Sequence, residues 1–180
     1  KTFTAFQIIY RFWKMRKMKK ILFLADRNIL VDQTMRKDFA PFTDAMVKFD
    51  NDKIDTSKDV YLALYQQLKS SDNDYYKKFP RDFFDMIIID ECHRSIYGNW
   101  RKVLEYFNTA KMIGLTATPV PETLAFFNNN RIVNYTLEKS IIDGVNVDHR
   151  VYRIKTQATE DGGAIRIGDS FKQITRYTGT

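Results

Sequence analysis

The sequence predicts an α/β fold built on a mainly parallel sheet with helices on both faces. Three observations predict it. Short apolar runs at residues 21–25, 60–64, 86–89 and 112–115 alternate with segments of helical spacing, the pattern of βαβ units. The run Met-Ile-Ile-Ile at 86–89 has no polar alternation, so both of its faces must be covered, as in a parallel sheet. Length agrees: 180 residues, 44% hydrophobic, are the size of one domain that buries about two thirds of its unfolded surface.

Each element follows from local pattern. Residues 2–13 carry Phe3, Phe6, Ile9 or Tyr10, and Trp13 close to helical spacing. Residues 21–25 read as a buried strand. Asn28 can cap a helix that puts Val31, Met35 and Phe39 on one face, with Pro41 marking its end. A short strand is expected near 45–49, with a turn at Asn51-Asp52, and another strand at 60–64. The polar stretch 66–85 holds a turn signal at 70–74 and Pro80 before the next strand. Trp100, Val103, Leu104 and Phe107 then fall at i, i+3, i+4 and i+7, a helix packed on the sheet. Beyond Glu122 the pattern changes, which divides the chain into a core at 1–122 and an extension at 123–180. In the extension, 126–131 reads as a loop, 137–142 as a short helix stopped by Gly144, and 149–155 with 164–167 as a hairpin about Asp161-Gly162-Gly163.

Composition sets further bounds. No apolar stretch approaches the roughly 20 residues of a membrane span, and the start lacks a signal-peptide pattern, so a soluble intracellular protein is expected. A single cysteine, Cys92, excludes an internal disulfide. Two histidines, His93 and His149, give no cluster with zinc spacing. A formal charge of +7 favours a polyanionic partner. Its densest block, RFWKMRKMKK at 11–20, has two readings of equal weight: the solvated end of a helix, where cations complement the dipole, or a contact to nucleic acid.

The chemistry concentrates at residues 86–95, MIIIDECHRS, where a buried strand emerges into two adjacent carboxylates. Ligands of open α/β sheets bind at that carboxyl edge. A bare Asp-Glu pair there is more often a charged turn, but other segments point the same way. The chain opens Lys1-Thr2, the last two letters of a phosphate-binding G-x-x-x-x-G-K-[ST] loop, directly before a helical pattern. The strand at 112–115 runs into Thr116-Ala117-Thr118-Pro119, and the strand at 21–25 ends in Asp26-Arg27. Cys92 reads as a small buried filler, and Phe79, Phe83, Phe84, Phe126 and Phe127 as packing.

These segments, in this order, resemble the first RecA-like P-loop lobe of superfamily 2 helicases and translocases. Within it, ILFLADRNILVDQ, IIIDECHRS, GLTATP and TLAFFNNNRIVNYTLEKSIIDG resemble the restriction (R, motor) subunit of type I restriction-modification enzymes. The resemblance implies an ATP-dependent DNA translocase with ATP and Mg2+ as cofactors, in the cytoplasm of a prokaryote. It implies that Lys1 and Thr2 bind the nucleotide, that Asp90 and Thr2 hold magnesium, and that Asp90 and Glu91 are catalytic, Glu91 activating water. It assigns His93, Thr116 and Thr118 to coupling, and Arg27, Gln33, Tyr65 and Gln66 to DNA contacts. The implied partners are double-stranded DNA, methylation and specificity subunits, and a second motor lobe and nuclease domain of the same full-length chain. The start at Lys1, halfway through a motif, raises the expectation of a piece of a longer protein that hydrolyses ATP only near background by itself. Alternatives are another superfamily 2 helicase, such as a type III restriction or repair helicase, or an inactive DNA-binding module with a motor fold. A small-molecule phosphotransferase leaves Thr-Ala-Thr-Pro unexplained.

Overall fold

The computed structural model describes residues 2–25, 39–50, 55–70 and 73–148. These form two compact units, divided between Ile132 and Val133.

The first unit holds five parallel strands, β1 (Ile21–Ala25), β2 (Met46–Lys48), β3 (Val60–Leu64), β4 (Met86–Ile89) and β5 (Lys111–Gly114), in the order β2-β3-β1-β4-β5. Ile21 pairs with both Val60 and Met86, so three central strands start level, and β4 ends one residue short of the other two. Helix α1 (Thr2–Lys14) precedes β1. A one-turn helix α2 (Tyr65–Leu68) follows β3. After β4 come α3 (Cys92–Ser95) and α4 (Gly98–Tyr106), and after β5 comes α5 (Pro121–Phe126). Two 3-10 turns, Ala40–Ala45 and Tyr75–Lys78, complete the unit.

The doubly covered sheet expected from Met-Ile-Ile-Ile is present, because strand parity sorts side chains to two apolar layers. Leu22, Leu24, Tyr61, Ala63, Ile87 and Ile89 face a cluster completed by Phe79, Phe84, Val103, Leu104 and Phe107. Ile21, Phe23, Ala25, Leu62, Met86 and Ile88 face Ala5, Phe6 and Ile9 of α1 together with Phe39 and Phe42. Each such large side chain contributes about 1.5–3 kcal/mol by leaving water. Phe79 and Phe84 are buried, and Phe83, Phe126 and Phe127 half-buried, all as packing residues.

Polar contacts tie the strands together at their amino edge. The Asp85 carboxylate accepts from the backbone N–H of Lys19 at 2.6 Å and of Lys20 at 3.0 Å. Ile21 N–H donates to Asp59 O, and Asp85 N–H to Lys20 O, both at 2.8 Å. The Lys20 ammonium donates to Thr56 O at 2.8 Å and also to Lys58 O. Helix α1 ends in a Schellman turn: Lys17 N–H reaches Phe12 O and Arg16 N–H reaches Trp13 O, with Arg16 at φ 53°.

Several elements differ from expectation. Residues 65–85 contain α2 and a 3-10 turn where the sequence reads as a polar stretch with a turn signal. Pro41, expected to end a helix, lies within the 3-10 turn Ala40–Ala45, near whose start its missing N–H costs little. Glu122 lies in α5, so helical structure continues past the expected change of pattern, to Phe126. The helix expected after Asn28 and the hairpin at 149–167 lie outside the described residues.

In the second unit, α6 (Leu137–Ile142) sits where expected. The Thr136 hydroxyl accepts from Lys139 N–H at 3.2 Å, and Gly144, at φ 70°, follows its end. Tyr135 donates its hydroxyl to Asp143 at 3.0 Å, and burial together with this bond raises the Tyr135 pKa.

Candidate functional site

The carboxyl ends of β4 and β5 are neighbours, and the chain turns sharply as it leaves each. Asp90 continues the ladder, its N–H donating to Leu24 O at 2.9 Å, and its side chain is buried. Glu91 lies in the left-handed region at φ 47°, ψ 45°. For a residue with a Cβ this conformation costs on the order of 1 kcal/mol or more, and such strain tends to collect at functional sites. It aims the Glu91 N–H at Asp90 Oδ1, at 3.0 Å, and lets α3 start at once, with Arg94 N–H on Glu91 O.

Strand β5 is fastened to this turn. Leu115 N–H donates to Ile89 O at 2.8 Å, and Cys92 N–H to Leu115 O at 3.0 Å. Gly114 permits the close approach: a Cβ there would stand 2.6 Å from the Phe127 ring and 2.8 Å from Cys92 Sγ. Cys92 is accordingly a buried packing residue.

The fastening brings His93 to Thr116, with Nδ1 2.9 Å from Oγ1. Glu91 Oε2 lies 3.5 Å from the same nitrogen, an ion pair when the ring is protonated. The Thr116 oxygen also accepts from Thr118 N–H at 3.1 Å. Thr118 therefore joins the chain of contacts through its backbone N–H. Glu91, His93, Thr116 and Thr118 thus form one connected polar path across two strand ends, with Asp90 at its buried root.

Thr2 opens α1. A 13-residue helix spans about 20 Å, somewhat more than a five-residue strand at about 17 Å. Because α1 runs back along the sheet to enter β1 at its amino edge, its Thr2 end lies toward the carboxyl edge that carries Asp90. Lys1, Arg27 and Gln33 lie outside the described residues.

The two remaining DNA candidates divide. Tyr65 is only 3% exposed, with its ring 5.5 Å from that of Trp100, so packing claims the surface a duplex would touch. Gln66, beside it, is exposed. Sequence reasoning missed Gln67, whose side chain accepts from Leu64 N–H at 2.9 Å and donates to Phe49 O at 3.0 Å, holding α2 against the end of β3. A glutamine three residues past a strand gave no signal of this role.

Among the described residues no three His, Cys, Asp or Glu side chains converge as a metal cage. One buried carboxylate at a strand tip, with the start of α1 toward the same edge, fits the sparse protein ligation that Mg2+ takes. Magnesium typically takes one or two carboxylates and fills its other positions with water and phosphate oxygens.

Residues 1–121 match the ResIII family model, described as type III restriction enzyme, res subunit. The EcoAI type I restriction enzyme endonuclease subunit of Escherichia coli is 46% identical over 164 residues, 86% of this chain and 20% of that protein. The corresponding EcoKI subunit is 26% identical over 97% of this chain and 17% of its own length. A solved fragment reported as an HsdR subunit of a type I restriction enzyme from Vibrio vulnificus superposes with a TM-score of 0.61 at 40% identity, covering 78% of this chain and 25% of that one. The chain spans about a fifth of the length of these curated relatives.

Proposed function

Because the chain belongs to the ResIII restriction-enzyme family, as a homologue of type I endonuclease (HsdR) subunits with a helicase-like, RecA-like lobe, we propose that it forms part of an ATP-dependent motor moving double-stranded DNA. The observation that carries this reading is the path Asp90–Glu91–His93–Thr116–Thr118. It connects an acidic strand tip to the turn after the neighbouring strand. A charged turn of purely structural use gives no reason for a strained glutamate to lie within reach of a histidine that is hydrogen-bonded to the next strand.

In this proposal ATP is the substrate, and Asp90 and Thr2 hold Mg2+, which neutralises phosphate charge. Lys1 places its ammonium against the β- and γ-phosphates. Glu91 orients the hydrolytic water and takes its proton. When Glu91 takes that proton its carboxylate loses its charge and its contact with His93 weakens, so the change at Glu91 is felt at Thr116 and along the turn to Thr118. Arg27, Gln33 and Gln66 contact DNA phosphates, positioning the duplex without reading its sequence. Methylation and specificity subunits, a nuclease domain and a second lobe complete the assembly. An arginine from that lobe would add roughly 10³ to 10⁵ in rate.

Two features favour type I over type III. The family model named for type III ends at residue 121, whereas similarity to the type I EcoAI subunit covers 86% of the chain. The test is Glu91→Gln in the full-length protein, which retains size and backbone conformation. DNA-stimulated ATP hydrolysis should fall by at least about 100-fold, the lower range for a general base, with DNA affinity unchanged. Retained hydrolysis rejects the motor reading, and a passive DNA-binding module predicts that outcome.

A further inference from the structure

The basic block of α1 and the loop after it is not part of the site above. It lies at the opposite, amino edge of the sheet, where α1 hands over to β1. Trp13, Lys14, Arg16, Met18, Lys19, Lys20 and Asp59 line a cleft there of about 560 Å³. Four cations thus face one carboxylate, and Asp59 is itself engaged, accepting from Trp13 Nε1 at 2.9 Å. Lys20 is spent on Thr56 O and Lys58 O. Lys14, Arg16 and Lys19 are exposed and make no side-chain hydrogen bond or ion pair among the described residues.

The backbone positions Arg16 and Lys19, and Lys14 is the last residue of α1. Arg16 occupies the left-handed position of the Schellman turn, where glycine is the usual residue. Lys19 is fixed by the bond from its N–H to Asp85. Stability alone does not call for an arginine at φ 53° beside two unpaired lysines.

We propose that this cleft is a second DNA-binding surface, taking the sugar–phosphate backbone of a duplex at the sheet edge away from the nucleotide. Strand length separates the two edges by about 17 Å. The ligand is backbone and not unstacked bases, because the aromatic in the cleft is occupied. Trp13 packs edge-on against Phe42 with centroids 5.3 Å apart, stands 6.2 Å from Tyr10, and has its N–H on Asp59. Single-strand sites need free aromatic platforms. A cleft of exposed cations without one suits phosphates of unspecified sequence.

This inference rests on the reading that DNA is the substrate. The test uses the full-length protein carrying K14Q, R16G and K19Q together, with binding to a short duplex of arbitrary sequence measured by anisotropy from about 50 to 200 mM salt. Each lost phosphate contact should flatten the log–log salt dependence by about 0.9, so the triple variant should lose roughly 2 to 3 in slope. Over that fourfold salt range wild type would then lose up to roughly fortyfold more affinity than the variant. The unfolding midpoint should not fall, since R16G relieves the left-handed position, and K102Q/R131Q/K139Q, an equal charge loss elsewhere, should leave the slope as it is. An unchanged slope in the triple variant overturns the cleft while the DNA reading stands, as does an equal loss in the control. A loss confined to single-stranded DNA, or to an acidic polypeptide such as polyglutamate, overturns the duplex assignment. Wild-type protein that binds no DNA overturns both readings, and the E91Q assay remains to judge the nucleotide site separately.

Discussion

Gly114→Ala should destabilise the protein through one identifiable collision. The added methyl would lie 2.6 Å from two Phe127 ring carbons and 2.8 Å from Cys92 Sγ. The half-buried Phe127 ring can pivot away, but the sulfur sits one bond from its Cβ and is only 1% exposed. Overpacking of this kind costs about 1–3 kcal/mol. Against it stands a gain of about 0.4–1 kcal/mol from a less flexible unfolded chain. At the middle of these ranges the net loss is about 1.3 kcal/mol, which for a chain of this size lowers the unfolding midpoint by roughly 3–5 °C. Thermal denaturation followed by circular dichroism measures it. Cys92→Ala in the same background removes the sulfur and should restore part of the loss, giving a favourable coupling between the two sites. A Gly114→Ala midpoint at or above wild type, or a double variant no better than the single, would refute the reasoning. Because Cys92 N–H anchors Leu115 O, the same substitution should also lower DNA-stimulated ATP hydrolysis by disturbing the adjoining His93–Thr116 contact.

Two further outcomes can be checked. The buried Thr123 hydroxyl has no hydrogen-bond partner among the described residues, so Thr123→Val, nearly isosteric, should stabilise by about 1 kcal/mol, read as a higher denaturant midpoint at unchanged m-value. Hydrogen bonds from Lys69 and Lys77 hold the Asp74 carboxyl at about 2, below its ordinary 3.8. A depressed folded pKa contributes stability that is fully present above 3.8 and is lost as pH falls toward 2. Asp74→Asn should therefore flatten the acid limb of stability in that window, and an identical limb in both proteins would remove Asp74 as its source.

How much was legible follows from what each element depends on. The four short apolar runs and helices α1 and α4 were readable because a two-faced core imposes its period on the residues themselves. Helices α2 and α3, four residues each, were not, since a single turn lies far below the length at which a helix sustains itself and forms only where tertiary contacts hold it. Pro121 and Glu122 in the first turn of α5 were usable start signals that the sequence reading passed over. At the site, Asp90, Glu91, His93 and Thr116 were legible as residue types in order. The left-handed conformation of Glu91, the burial of Tyr65 and the backbone role of Thr118 were not, because each is set by neighbours distant in sequence. The basic block was visible as charge, but Asp59, which occupies Trp13, lies 46 residues away.

The clamp at Asp85 has a consequence for chemistry at the far end of the same strand. A run such as Met-Ile-Ile-Ile, greasy on both sides, would slide by one position at little hydrophobic cost, since each face receives an equivalent residue. Alignment must therefore come from the few groups that cannot slip without losing a partner, and the carboxylate gripping two successive amides is one of them. Were it released, the acids beyond Ile89 would be free to stop one step short of, or past, the threonine turn they have to meet.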